Sequence, residues 1–278
     1  MAKVVRKTTG APPPAQNAPK EMSFLDHLEE LRMRIIRSLA AAVTMTIVLF
    51  LVHKWFFNYI IFGPVHEWFP TYRLICSISE SMCFGPPEFT SQAVGFGESF
   101  IISIKAAFVM GVVLAMPYIL YQFWQFIRPG LYPKEQKGLK GVVFVCSALF
   151  LAGVLFGYFI IAPFAINFLM GYTIPGVENI PTISSYINYM IMFTLPAGLI
   201  FELPVLVYFL AKIGLVSADF MRQYRKHAII VILILAAVMT PPDVVTQMLI
   251  GIPLYLLYEI SILIAKRIEK KAQEEENA

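Results

Sequence analysis

Four apolar runs, residues 35–57, 100–124, 139–164 and 187–213, are longer than a soluble core helix or strand requires. A bilayer core takes about 20 apolar residues per helix, so each run is long enough to cross one. With 58% hydrophobic and 14% charged residues in 278, the chain reads as an all-α, polytopic membrane protein with room for about six spans. The first run passes through Leu39, Val43, Ile47 and Leu51; the second contains Lys105 and Pro117; the fourth is interrupted by Pro196, Glu202 and Pro204.

The last two spans are expected to be short. The fifth run, 228–239, has 12 residues, roughly 18 Å of helix against a hydrocarbon core of about 30 Å. It stops at Thr240-Pro241-Pro242-Asp243. The sixth resumes at Val244, carries Gln247 and Pro253, and meets Glu259 before the basic run Lys266, Arg267, Lys270 and Lys271.

Lys and Arg in the short connections set the orientation. Lys20, Arg32, Arg34 and Arg37 lie at the N-terminal flank of the first span, Arg128, Lys134, Lys137 and Lys140 join the second to the third, and Arg222, Arg225 and Lys226 join the fourth to the fifth. The intervening connections around 175–185 and 240–243 have no Lys or Arg, and the long first loop is mainly acidic, with Glu67, Glu80, Glu88 and Glu98. Both termini are therefore expected on the cytoplasmic side. Residues 1–22 read as a disordered tail, 23–266 as one six-helix membrane domain, and 267–278 as a charged tail. The first run is too long for a signal-peptide core and no small-residue cleavage pattern follows it.

Cys76 and Cys83 share the first external loop, and Cys146 lies inside the third span. An oxidising compartment permits a Cys76–Cys83 bridge, and two reduced cysteines fit the same loop equally well. No catalytic, metal-binding or nucleotide-binding motif is present: His27, His53, His66 and His227 are scattered, and His-Glu-x-x-His, Gly-x-x-x-x-Gly-Lys and Gly-x-Ser-x-Gly are absent. The chain is expected to be no enzyme, to hold no cofactor or metal and to bind no nucleic acid.

Three acids remain. Ser23 with Asp26 can cap an amphipathic lead-in whose apolar face is Phe24, Leu28, Leu31 and Ile35. On it, Glu30 is spaced to pair with Arg34 and Glu29 with Arg32, which alone would explain both acids. Glu135 follows Pro133 in a first helical turn, where the helix dipole favours an acid; it also follows an aromatic cluster, Tyr118, Tyr121, Phe123, Trp124 and Phe126, that an ordinary interfacial belt would explain. Glu202, near the middle of the fourth span, is the least easily explained. A charge there costs about 2.5–3.5 kcal/mol on insertion scales, so such a residue faces protein or a wet cavity and marks function. Lys105 enters from the outer side as a candidate partner.

These residues resemble the TatC family of the twin-arginine protein translocase. The resemblance runs from Phe24 to about Lys266 and rests on His27-Leu28-Glu29-Glu30-Leu31-Arg32, on Pro117-Tyr118-Ile119-Leu120-Tyr121-Gln122-Phe123-Trp124-Gln125-Phe126-Ile127 with Pro129, Leu131, Tyr132 and Glu135, on Phe201-Glu202-Leu203-Pro204-Val205, and on Thr240-Pro241-Pro242-Asp243 with Gln247. It implies an N-in, C-in receptor in the bacterial inner membrane that binds twin-arginine signal peptides and exports folded proteins with TatA-type and TatB-type single-span partners in a multimeric complex, driven by the proton-motive force. Glu30 and Glu135 would bind the signal, with Leu31, Arg32, Pro117 and Phe126 shaping the site. Glu202, with Asp243 and Gln247, would meet partner helices. The long first loop, about 58–98, and the Ala/Pro-rich N-terminal tail depart from the family. The rival expectation is an ion-coupled secondary transporter with Glu202 as proton carrier, although matching broken helices in two halves are not visible.

Overall fold

The computed structural model describes residues 24–78, 83–87, 89–128, 139–176, 179–239 and 244–276. Within them the chain is helical: α1 (Phe24–Leu51), α2 (His53–Phe56), α3 (Pro70–Ile78), α4 (Glu98–Ile127), α5 (Leu139–Phe156), α6 (Ala162–Gly171), α7 (Ile183–Ile200), α8 (Leu203–Lys212), α9 (Ala218–Gln223), α10 (Arg225–Met239) and α11 (Val244–Glu276). A single isolated bridge joins Gln92 to Thr182. Ser23, proposed as a helix cap, lies outside the described residues.

Five stretches are long and apolar enough to cross a membrane: His27–Leu51, Glu98–Ile127, Gly141–Gly171, Ile183–Lys212 and Thr246–Lys271. Their outward residues, among them Leu39, Ile47, Phe108, Leu155, Leu199 and Leu256, are exposed, a surface suited to lipid rather than water. Helix α10 has 15 residues, about 22 Å, and falls short of the roughly 30 Å core. The expectation of a short sixth span is corrected. The membrane-length stretch Thr246–Lys271 is 26 residues long, and α11 continues through the charged segment because Glu, Lys, Ala and Gln are good helix formers and Lys270 and Glu274 pair at i,i+4.

Neighbouring helices run antiparallel. Residues 46 and 27 of α1 face 111 and 126 of α4, and 233 and 225 of α10 face 247 and 259 of α11. Close approach of α5 to α7 depends on Gly153 and Gly157: a Cβ on Gly153 would stand 2.6 Å from the Ala197 carbonyl oxygen, and one on Gly157 would strike the Phe193 carbonyl. This small-x-x-x-small spacing is a packing device of helices in lipid, where dispersion contact replaces the hydrophobic drive. The main core, with Phe56, Ile102, Ala106, Ile161, Ala165, Ile187, Phe193, Ala236 and Leu254, lies where these helices converge.

At the end of the bundle opposite the α1 N-terminus, prolines release backbone carbonyls and hydroxyls take them up. Pro64 has no N–H for Ile60, whose oxygen accepts from the Tyr158 hydroxyl at 2.6 Å. Pro163 likewise leaves Phe159, whose oxygen accepts from the Thr71 hydroxyl. Tyr186 donates to Ile61 at 2.7 Å and Tyr72 to Pro64 at 2.5 Å, and burial pushes the Tyr72 phenol up to about 12. Cys76 and Cys83 are joined by a disulfide in the same region. The segment between α1 and α4 is thus tied onto the bundle by hydrogen bonds and aromatic contacts such as Phe69–Phe159 and Phe84–Phe164.

Candidate functional site

His27, Glu30 and Arg34 recur at intervals of three and four on α1 and share one stripe. Gln122 and Phe126, four apart on α4, share another, and antiparallel packing lays the two together. The His27 ring stacks on Phe126 with centroids 4.4 Å apart and planes at 23°. Arg34 donates from Nε and Nη2 to the same Glu30 oxygen, Oε1, at 3.0 and 2.6 Å, and from Nη1 to Gln122 Oε1 at 3.0 Å. The Glu30 and Arg34 side chains are 23% and 19% exposed, and Gln122 is buried.

That arrangement differs from a solvated i,i+4 pair, whose worth is a few tenths of a kcal/mol. The expected Glu30–Arg34 contact forms, but largely out of water, and a buried amide on another helix holds its cation. Screening by solvent is weaker here, and charge-assisted bonds are correspondingly stronger. The expected Glu29–Arg32 pair is not found among the ion pairs of the described residues. Both side chains are exposed, where such a contact gains too little to offset the loss of rotamer freedom. Arg32 lies about 200° around the helix from Glu30, so the structure separates it from this cluster. Leu31 and Pro117 are half-buried. Glu135 and Asp243 lie outside the described residues.

Glu202 sits where the fourth apolar run breaks, in the turn between α7 and α8. Pro204 removes the donor that Ile200 would need, and the chain turns on a 3.2 Å bond from Glu202 N to Leu199 O before restarting with Val205 N and Leu206 N on Glu202 O, both at 3.0 Å. Oε1 of Glu202 and Nε1 of Trp124 are buried without a hydrogen-bond partner among the described residues. The Cys146 thiol lies beside both, and Trp124 packs on Phe209 at 4.1 Å. Three helices, α4, α5 and α8, thus meet around one acid. Lys105 is not the partner expected for it: Lys105 Nζ donates to Asn188 Oδ1 at 2.5 Å, an amide on the adjoining helix. Gln247 donates to Leu233 O at 3.1 Å, tying α11 to α10.

Sequence reasoning missed His27, Arg34 and Gln122 as members of one cluster. The three-and-four spacing of polar residues on an otherwise apolar lead-in was the available signal for the first two. A cavity of 480 Å³ between α4, α5 and α7 is lined by Met110, Val113, Leu151, Ile187 and similar side chains. Its Thr194 and Tyr158 hydroxyls are already bonded to Met190 O and Ile60 O, so it offers no comparable chemistry.

The family model described as Sec-independent protein translocase protein (TatC) matches residues 26–253. A TatC from Blattabacterium of Periplaneta americana is 38% identical over 92% of this chain and 99% of its own length. TatCy of Bacillus subtilis is 34% identical over 91% of this chain and 92% of its own. The crystal structure of a twin arginine translocase receptor, TatC, superposes with a TM-score of 0.67 at 32% identity, covering 87% of this chain and 99% of that one. Such agreement in sequence and overall fold does not favour an ion-coupled transporter. The chain belongs to the TatC family of Sec-independent protein translocase proteins and is a multi-pass membrane protein of protein transport.

Proposed function

We propose that this chain is the signal-peptide receptor and core subunit of a twin-arginine translocase in a bacterial inner membrane, with six spans and both termini cytoplasmic. In this reading Glu30 and Glu135 bind the paired arginines of the signal, and Leu31, Arg32, Pro117 and Phe126 shape the surrounding surface. Glu202, Asp243 and Gln247 meet the helices of TatA-type and TatB-type partners in a multimeric complex, and the proton-motive force drives export of folded cargo.

One observation carries the reading: Glu30 already holds a guanidinium, through two N–H donors, in a place mostly shielded from water. A planar guanidinium presents parallel donors to a carboxylate, whereas an ammonium is a point donor, so acids in such a setting prefer arginine to lysine. The solved relative at 32% identity bears the name of a twin arginine translocase receptor, and the buried, unpartnered Glu202 oxygen supports a polar contact still to be made.

The test is direct. Purified full-length protein in lipid nanodiscs is titrated with a synthetic signal peptide carrying Arg-Arg and with its Lys-Lys counterpart. The Arg-Arg peptide is expected to bind at least about tenfold more tightly, and Glu30→Gln to remove most of the difference. Equal affinities in the native protein overturn the proposal.

A further inference from the structure

Glu30 is occupied in this structure by an arginine of its own chain. Both Arg34 donors converge on Oε1, while a fork-to-fork contact with a second guanidinium needs both carboxylate oxygens. An incoming arginine must therefore displace Arg34 from Oε1 or settle for Oε2 beside a resident positive charge. Arg34 is also anchored at Nη1 by the buried Gln122 amide, so when it releases Glu30 it retains a partner on α4. Release is thereby a swing between two states rather than exposure of an orphaned cation.

We infer that Arg34 is an internal competitor for the signal-binding carboxylate, holding Glu30 closed in most molecules and lowering the apparent affinity for every cationic signal by a common factor. This rests on the proposed receptor function. The arithmetic is that of a site open only a fraction of the time: the apparent dissociation constant is the intrinsic one divided by the open fraction. A common factor leaves the ratio of Arg-Arg to Lys-Lys affinities unchanged. It moves the absolute scale, so that weaker signals fall below useful occupancy while a signal engaging a second site still binds. Stringency in transport would then come from a preference at the acids combined with a threshold set by Arg34.

The opposing reading is that Arg34 positions Glu30 and aids binding. Two variants separate them, each in full-length protein in nanodiscs with thermal unfolding as a check on folding. Arg34→Gln is expected to tighten both the Arg-Arg and the Lys-Lys peptides about five- to tenfold, with their ratio preserved within about twofold. Arg34→Lys keeps the charge but loses the fork, and is expected to tighten both by a smaller amount, which a through-space charge effect alone would not produce. In cells, Arg34→Gln is expected to admit Lys-Lys cargo that the native protein rejects. Weaker Arg-Arg binding in either variant, or unchanged affinity in Arg34→Lys, overturns the inference. Should Arg34→Gln not fold, the Lys variant decides alone. Native protein without Arg-Arg preference overturns the receptor reading itself, a result distinct from a native preference whose absolute affinities are unchanged in both variants, which overturns only the inference.

Discussion

A carboxylate oxygen buried without a donor is a cost that something else must justify. Among the described residues Oε1 of Glu202 is such an atom, and leaving it unpaired costs on the order of 1–3 kcal/mol. Glu202→Met is therefore expected to raise the unfolding midpoint of the detergent-solubilised protein by several degrees while abolishing transport. A lowered midpoint would show that the acid is already satisfied. At this scale the Glu30–Arg34 contact was legible because i,i+4 spacing is a property of one helix. The His27–Phe126 stack and the Lys105–Asn188 bond were not, since each joins residues far apart in sequence whose meeting depends on the register between two helices.

Helices show the same division between what is local and what is not. The break at Glu202 was legible from Pro204 beside it, and the shortness of α10 from an apolar run of 12 residues that stops at Thr240-Pro241-Pro242-Asp243. The length of α11 was misjudged because charge was taken to end a span, whereas charge ends only contact with lipid and leaves helix propensity intact. The seam of α5 on α7 gives a sharp test. Gly157→Leu must push the Phe193 backbone away, and overpacking of this kind costs about 1–3 kcal/mol or more; membrane accumulation and thermal stability are expected to fall together. Gly141→Ala, with open space at its Cβ, is the matched control and should change neither. Tyr158→Phe is expected to destabilise by about 1–3 kcal/mol, because the Ile60 carbonyl freed by Pro64 loses its donor. An unchanged unfolding midpoint would mean that the carbonyl finds another partner.

At the scale of the molecule, the described residues hold five stretches long enough to cross a membrane, and α10 stands beside them as a shorter apolar helix. At about 22 Å, α10 is mismatched to a bilayer, and mismatch is relieved by thinning the membrane locally or by tilting neighbours. If thinning assists passage of cargo, inserting four leucines into α10 is expected to impair export without unfolding the protein; undiminished export would count heavily against that role. Lys and Arg placement is read from charge in short loops alone, and the orientation it implies stays with the proposed function. The polar clusters were harder to read, being assembled from α1 with α4 and from α4 with α5 and α8.

Helix α1 also has a consequence for biosynthesis. Only 11% of its most apolar stretch is buried, against 33–39% in the other four membrane-length helices, and it packs chiefly on α4. A helix so little covered by protein is at home in lipid by itself. Emerging before α4, α1 can insert and wait, and the cluster around Glu30 comes into being only when the ribosome has delivered Gln122 and Phe126.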